Sequence, residues 1–276
     1  MESGLTANHS PRKETGFVGF FDILGYKSFL ESGISEVTFK LIDILDGLQQ
    51  RVSDALNRHF GADAFLISNT LKWELDRIIP LVVSDSILLR SSYDENRDLS
   101  LRPSQAATFL VAVNVLTRDM FEHGLPLRAA VAFGECIFHG HVFAGKPIAD
   151  AYVLGHSLNL AACATHETAE NEFKRLLAIA PEWHALLGDG LNLVRYPAPI
   201  KGCITALESL CLNAAWPTLR SYTRLKERMD IRQYVREQFS AHNKRMVEDA
   251  IAKADNTEAY LRFLQGRFPH LFYRDP

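Results

Sequence analysis

The chain has 276 residues, of which 47% are hydrophobic and 23% charged, a composition that excludes collagen-like and intrinsically disordered proteins. Its 30 lysines and arginines stand against 33 aspartates and glutamates, so it lacks the basic excess that nonspecific nucleic-acid binding requires. No apolar run approaches the roughly 18 residues that cross a bilayer, and residues 1–15 lack the apolar segment of a signal peptide. We therefore expect a cytoplasmic protein that binds neither nucleic acid nor membranes.

The apolar pattern predicts strands that alternate with helices. The aromatic-rich run over residues 16–26 is typical of a central strand, and the run over 78–89 is typical of a second strand or a hairpin. Apolar residues at helical spacing predict one or two amphipathic helices between residues 27 and 60. Farther along, the pattern predicts a helix over 103–124, one or two strands over 125–143, a helix over 157–177, one more strand within 195–215 and charged helices within 221–264.

Strands separated by helices favour an α/β or α+β fold around one sheet. We expect a leader over residues 1–15 and a main domain over 16–180. The remaining residues, 181–276, are expected to form a mostly helical extension that packs on the core or at a dimer interface.

Two of the predicted strands each contain a single acid, Asp22 and Asp85. At a separation of ~4 Å and an effective dielectric near 20, two such carboxylates would repel by about 4 kcal/mol. A divalent cation reverses the sign of that interaction, and carboxylate, backbone carbonyl and phosphate oxygens are the ligands that Mg²⁺ and Mn²⁺ prefer. The alternative is that each aspartate lies at a strand end and pairs with an arginine such as Arg128 or caps a loop.

Four segments, in order along residues 17–165, resemble the motifs of the class III nucleotide cyclases. This resemblance implies an α+β fold: a central, mainly antiparallel sheet with a ferredoxin-like core, flanked by helices and followed by a C-terminal helical extension. It also assigns residues 16–180 as the catalytic domain. The segment Phe20-Phe21-Asp22-Ile23-Leu24-Gly25-Tyr26 resembles the first metal motif, and Ser84-Asp85-Ser86 resembles the motif of the second metal aspartate, which usually follows a glycine. The segment from Leu127 to Gly134 is similar to the family's arginine-bearing strand. The segment from Tyr152 to Ala162 is similar to the strand-to-helix signature Asp-x-x-Gly-x-x-Val-Asn-x-Ala.

The resemblance implies a role for individual residues. Asp22 and Asp85 would hold two divalent ions, Mn²⁺ or Mg²⁺, with the Ile23 carbonyl as a further ligand. Asn159 would reach in from the partner subunit of a homodimer, whose active sites form at the interface, and orient the ribose. The implied reaction is attack of the 3′-hydroxyl of a nucleoside triphosphate on its own α-phosphorus, with release of pyrophosphate. The candidate substrate contacts are Phe21, Tyr26, Arg128 and Tyr152.

The chain departs from the family pattern at the transition-state arginine. Cys163 stands where the family usually has that arginine, four residues after Asn159. Loss of one such donor typically costs about 2.7–4 kcal/mol unless another cation replaces it. The candidate replacements are Arg97, Arg102, Arg128, Lys146, Arg195 and Lys201.

The positions that would read the base also differ. Tyr152 stands where purine-specific enzymes keep an acid or threonine, and the apolar residues 79–82 occupy the stretch that would hold a purine-reading lysine. A tyrosine offers a ring for stacking and a hydroxyl for hydrogen bonding. The inference is a smaller base with different hydrogen-bonding groups.

These features are similar to the bacterial pyrimidine cyclases of the Pycsar antiphage systems. That similarity implies conversion of UTP to cyclic UMP, Mn²⁺ dependence, a homodimer and a separately encoded effector that responds to the messenger. A cytidylate cyclase that makes cyclic CMP from CTP is an alternative. A second alternative, favoured by Cys163, is a degenerate cyclase fold that binds a nucleotide without turnover. A diguanylate-cyclase relative or metal phosphohydrolase is a third, disfavoured because the chain has neither a Gly-Gly-[Asp/Glu]-Glu-Phe turn nor a His-Asp doublet.

Overall fold

The computed structural model describes residues 12–27, 34–60, 74–93, 99–139, 142–214 and 230–272. Its strands are β1 (Arg12–Ile23), β2 (Ile79–Val83), β3 (Ser86–Ser92), β4 (Leu127–His139), β5 (Val142–Ala144), β6 (Cys163–Thr165), β7 (Leu193–Ala198) and β8 (Leu207–Leu212). They form one sheet in the order β2-β3-β1-β4-β6-β8-β7, and β5 pairs with β4. The pairing of β4 with β6 is parallel, whereas the other pairings are antiparallel.

Helices pack on the two faces of this sheet. None of those in the described ranges is long and apolar enough to span a bilayer. The helices are α1 (Ile34–Asp46), α2 (Leu48–Phe60), α3 (Arg102–Glu122), α4 (Lys146–Ser157), α5 (Glu167–Ile179), α6 (His184–Leu187), α7 (Ile231–Ser240), α8 (Glu248–Arg267) and α9 (Pro269–Phe272).

The first four long strands form a ferredoxin-like core. Helices α1 and α2 connect β1 to β2, a tight hairpin joins β2 to β3, and α3 leads to β4. The spatial order β2-β3-β1-β4 places β1 at the centre, antiparallel to both of its neighbours. This topology confirms the predicted α+β fold with a mainly antiparallel sheet.

Alternation along β1 sends its side chains to two different environments. Phe17, Phe21 and Ile23 belong to the main hydrophobic core, which also includes side chains of α1, α2 and α3. Residues between them point to the opposite face, and Asp22 is among these residues. The buried aromatic residues of β1 therefore anchor the strand from one side. On the other side Asp22 follows Val18 and Phe20, which pack in a separate, smaller apolar cluster.

The C-terminal helices α7 and α8 pack on the far end of the sheet. Tyr234, Val235 and Tyr260 belong to a second apolar cluster, together with residues of β7 and β8. The Tyr260 hydroxyl also donates a hydrogen bond of 2.5 Å to the carbonyl of Leu212, at the end of β8. Two strands form over residues 193–212, where a single strand was predicted within 195–215. Helices form as predicted within the described part of 221–264.

The predicted start of the helix over 157–177 is wrong, because α4 ends at Ser157, although α5 (Glu167–Ile179) forms over the later part of that range. Helix α4 was not predicted; it begins at Lys146 with Pro147 in its first turn, where a proline's fixed φ and missing N–H are tolerated. Cys163, Ala164 and Thr165 form β6 beside β4. The segment Tyr152 to Ala162, which resembles a strand-to-helix signature, is therefore the end of a helix and a loop that leads into a strand. Gly155 lets α4 approach the sheet, since an added Cβ would lie 3.3 Å from the Ala130 nitrogen.

Candidate active site

Three polar side chains lie in one row across three strands. Asp22 on β1 is opposite Ser86 on β3 and opposite Arg128 on β4. Directly opposed residues in antiparallel strands place their side chains on the same face of the sheet. Since Asp22 points away from the main core, this row lies on the face that α4 partly covers.

Arg128 forms a nearly buried ion pair with Asp22. Its Nε donates a hydrogen bond of 2.6 Å to Asp22 Oδ2, and the two side chains are 10% and 9% exposed. The same guanidinium donates to the His156 carbonyl at 3.2 Å and contacts His156 Nδ1 at 2.8 Å. Because arginine can only donate, Nδ1 accepts, and the His156 ring carries its proton on Nε2. Arg128 thus links the strand acid to helix α4, as in the arginine-pairing alternative for Asp22.

Asp85 lies at the tip of the hairpin that joins β2 to β3. The Ile23 N–H donates a hydrogen bond of 2.9 Å to the Asp85 carbonyl. In an antiparallel ladder the N–H and C=O of one residue point to the same neighbour, so the Ile23 carbonyl also faces this tip. Within the described ranges the Asp85 carboxylate makes no hydrogen bond or ion pair. Ser84, which precedes it, has a φ of 58°, the left-handed conformation that explains a glycine preference at this position.

The donor atoms at this edge suit a hard divalent cation. They are the carboxylate of Asp85, the carbonyl of Ile23 and the second oxygen of Asp22, which accepts no hydrogen bond within the described ranges. No group of three histidine, cysteine or acidic side chains converges in the part of the chain that the structure describes. A cation held here would therefore take its remaining ligands from water or from phosphate oxygens.

Asn159 lies in the loop between α4 and β6. Its N–H donates a hydrogen bond of 2.8 Å to the Pro199 carbonyl, and its own carbonyl accepts one of 2.7 Å from Asn256 Nδ2. The backbone is thus held from two sides, whereas the carboxamide has no hydrogen-bond partner among the described residues. No hydrogen bond joins Asn159 to Asp22 or Asp85 in those residues.

Tyr152 lies on the same face as the row of polar residues. It is 47% exposed, and its ring meets Phe20 edge-on at a centroid distance of 5.1 Å. The ring of His156, one helical turn later, is 4.4 Å from that of Tyr152. Sequence reasoning missed both Phe20 and His156. The i, i+4 spacing of Tyr152 and His156 would have linked them, had residues 146–157 been recognised as helical.

Other candidate residues are not brought to Asp22. Phe21 is fully buried on the opposite face, among core side chains, and Tyr26 packs at the margin of the same core. Cys163 is buried in β6, where desolvation raises the thiol pKa well above its ordinary value. A neutral buried thiol cannot supply the positive charge of an arginine.

Of the candidate replacement cations, Arg128 is placed beside Asp22. Lys146 pairs with Asp150 at 2.7 Å and Arg195 with Glu170 at 3.2 Å. Arg102 lies over the Tyr93 ring and Lys201 in an exposed turn. Arg97 lies outside the described residues.

A cavity of about 560 Å³ lies between α4, β6 and the start of α5. Its lining includes none of Asp22, Asp85 and Asn159. Four acids contribute to it, Asp150, Glu167, Glu170 and Glu208, and their charge disfavours a triphosphate there.

No profile of a known protein family matches the chain, and no curated protein does. Among solved structures, the chain is similar to a bacterial light-regulated adenylyl cyclase, with 12% identity, a TM-score of 0.42 and coverage of 76% of this chain and 54% of that one. It is also similar to a class III adenylyl cyclase-like ATP-binding protein from Pseudomonas aeruginosa, with 13% identity, a TM-score of 0.37 and coverage of 60% and 37%. The chain thus spans about half the length of the first structure and a smaller part of the second.

Proposed function

We propose that the protein is a nucleotide cyclase that converts UTP to 3′,5′-cyclic UMP and pyrophosphate. The observation that carries the proposal is the meeting of Asp22, the Ile23 carbonyl and the Asp85 hairpin at one edge of a ferredoxin-like sheet. Those residues stand at the two metal positions of the cyclase motifs, and their oxygens suit Mn²⁺ or Mg²⁺.

Each residue then has a defined task. Two bound divalent ions would lower the pKa of the attacking hydroxyl and offset charge on the phosphates. Asp22 and Asp85 hold these ions at the sheet edge, and Arg128 fixes the orientation of the Asp22 carboxylate. The carboxamide of Asn159, which has no hydrogen-bond partner among the described residues, orients the ribose from the partner subunit.

The choice of a pyrimidine rests on Tyr152. Its half-exposed ring offers a stacking surface next to the polar row, and its hydroxyl offers one donor and one acceptor. CTP, with cyclic CMP as the product, is the alternative substrate. The product acts as a messenger in antiphage defence in the cytoplasm, read by a separately encoded effector, as in the Pycsar systems that the chain resembles.

A homodimer completes the site in this proposal. Ile79, Leu81 and Val83 of β2 alternate onto the face that carries Asp22, because Val83 pairs with Ser86. Val83 is 63% exposed and Ile79 is 43% exposed. An apolar strand face beside a half-assembled site suits a second copy of the chain, which would bring its own Asn159.

A second candidate function is nucleotide binding without turnover. The burial of Cys163 and the engagement of Arg128 by Asp22 favour it, because both leave the described residues without an uncommitted transition-state arginine at this edge. In that case nucleotide would bind and no cyclic product would form.

The deciding experiment incubates purified protein with each of the four ribonucleoside triphosphates and Mn²⁺, and identifies products by mass. We expect cyclic UMP and pyrophosphate from UTP, and no product from Asp22→Asn or Asp85→Asn. Asp54→Asn, an exposed carboxylate on α2, is the matched control and should behave as wild type. Equal turnover of ATP and GTP would remove the pyrimidine assignment, and nucleotide binding without any product would support the second candidate.

A further inference from the structure

The C-terminal helices contact both halves of the candidate site, although no cyclase motif lies in them. We propose that α7 and α8 form a clamp that positions the Asn159 loop and the turn after Asp22 relative to each other. This inference rests on the proposed function for its catalytic consequence. Its structural part, that two loops are held by one helical unit, is independent of substrate.

The first contact holds the loop that carries Asn159. Asn256 Nδ2 donates a hydrogen bond of 2.7 Å to the Asn159 carbonyl, and the Ala161 N–H donates one of 2.8 Å to Thr257 Oγ1. Both partners are neighbours on α8, and Thr257 is 1% exposed. Its hydroxyl is fixed further by donating to the Lys253 carbonyl at 2.7 Å. Asn256 and Thr257, which are adjacent on α8, therefore provide hydrogen-bond partners for the Asn159 carbonyl and the Ala161 N–H.

The second contact holds the turn that follows Asp22 and Ile23. Leu24 is buried in the apolar cluster of α7 and α8 rather than in the main core, which contains Ile23. Gly25 has a φ of 79°, and a Cβ added there would lie 2.8 Å from Lys244 Cδ. The Lys244 ammonium donates to the Gly124 carbonyl at 2.7 Å. The chain therefore passes from the main core to the C-terminal cluster directly after the metal-motif residues.

Both contacts belong to one packed unit. Tyr234 of α7 and Leu261 of α8 belong to the same apolar cluster, and this packing joins the two helices. The ion pair of Arg236 with Asp255 is partly exposed and adds little to it. A shift of α8 would thus move the Asn159 loop and loosen the Leu24–Gly25 turn together. Displacements of about 1 Å at a reacting centre cost about 100-fold in rate, so Asn256 and Thr257 act as positioning residues.

The test compares Thr257→Val, which is nearly isosteric but lacks the hydroxyl, with Thr257→Ser, which retains it. Asn256→Asp replaces the side-chain N–H that donates to the Asn159 carbonyl by an oxygen that can only accept. Asp255→Ala is the matched control, because it removes the ion pair with Arg236 and no contact with either loop. Amide hydrogen exchange without nucleotide reports on residues 159–161 and 24–26. We expect faster exchange in both segments for Thr257→Val and Asn256→Asp, and wild-type exchange for Thr257→Ser and Asp255→Ala.

Turnover gives the second readout. Thr257→Val and Asn256→Asp should lower kcat by about 10-fold to 100-fold with KM little changed, and Thr257→Ser should restore kcat. Unchanged exchange in Thr257→Val, or an equal loss of kcat in Asp255→Ala, would overturn the clamp. If wild-type protein forms no cyclic product, the proposed function fails by itself, and the exchange data still decide whether the helices hold the two loops.

Discussion

Arg128 reaches Asp22 across neighbouring strands at 2.6 Å, in surroundings that nearly exclude water. An unpaired carboxylate in such a place is costly, so the arginine supplies a counter-charge before any cation binds. It occupies Oδ2 and leaves Oδ1 without a hydrogen bond among the described residues. The arginine-pair and cation-ligand interpretations of Asp22 are therefore compatible.

Arg128→Met should destabilise the fold by roughly 3–5 kcal/mol, because it leaves a buried charge without its partner. Urea unfolding measures this change. The double variant Asp22→Asn/Arg128→Met should recover most of the loss, since both charges are then absent. Equal stabilities for wild type and the single variant would show that the pair contributes nothing in solution.

Mn²⁺ should stabilise the wild-type protein and leave Asp85→Asn nearly unaffected. A ligand present at about 100 times its dissociation constant stabilises a native protein by about 2.7 kcal/mol. Of Asp22 and Asp85, Asp85 is the one whose carboxylate oxygens both lack a hydrogen bond among the described residues. Thermal melts with and without Mn²⁺ measure the shift. Asp54→Asn should retain the full shift, and an unaltered shift in Asp85→Asn would place the cation elsewhere.

Ser84→Gly should raise the free energy of unfolding by about 0.5–1 kcal/mol. A left-handed φ is strained for serine and unstrained for glycine, and this gain exceeds the entropy that glycine adds to the unfolded chain. Ser86→Gly, two residues later in β3, is the matched comparison and should lower stability by a similar amount. Loss of stability in Ser84→Gly would argue against the hairpin conformation seen here.

Stability should depend on pH through Lys244. Burial lowers the pKa of its ammonium to about 7, below the ordinary value of 10.5. Between these values the unfolded chain binds more protons than the folded chain, so this group makes stability rise as the pH rises from 7 toward 10.5. Urea unfolding at several pH values should give a steeper upward slope for wild type than for Lys244→Met. Parallel curves would contradict this assignment.

Mixing two inactive variants should restore activity if the site is shared between subunits. Asp22→Asn lacks the metal-binding half, and Asn159→Ala lacks the ribose-binding half. In an equal mixture that exchanges subunits, half of the dimers carry one intact site, so about a quarter of wild-type activity is expected. Each variant mixed with itself is the control. Failure of the mixture, with subunit exchange verified by sedimentation, would show that Asp22 and Asn159 do not act together across a subunit interface.

Local pattern was enough to locate Asp22 on a strand, because the aromatic run around it buries one side of β1 and alternation leaves the acid on the other. The prediction that Asp85 lies within a strand is wrong, since Asp85 lies in the turn between β2 and β3. The mainly antiparallel sheet was expected from the resemblance to the class III nucleotide cyclases, whereas the hairpin and α3 could be predicted from local pattern. These are properties of short stretches of chain, in which the neighbouring residues carry the signal.

Tertiary structure decided how the pieces meet. Arg128 and Asp22 are 106 positions apart, and their contact depends on the register of two strands, which no local pattern specifies. The end of helix α4 at Ser157 depends on the parallel pairing of β6 with β4, which joins segments that are distant along the chain. The burial of Leu24 by α7 and α8 likewise joins segments more than 200 residues apart. Such contacts are selected by the free energy of the whole packed core, so they are visible only once the chain has folded.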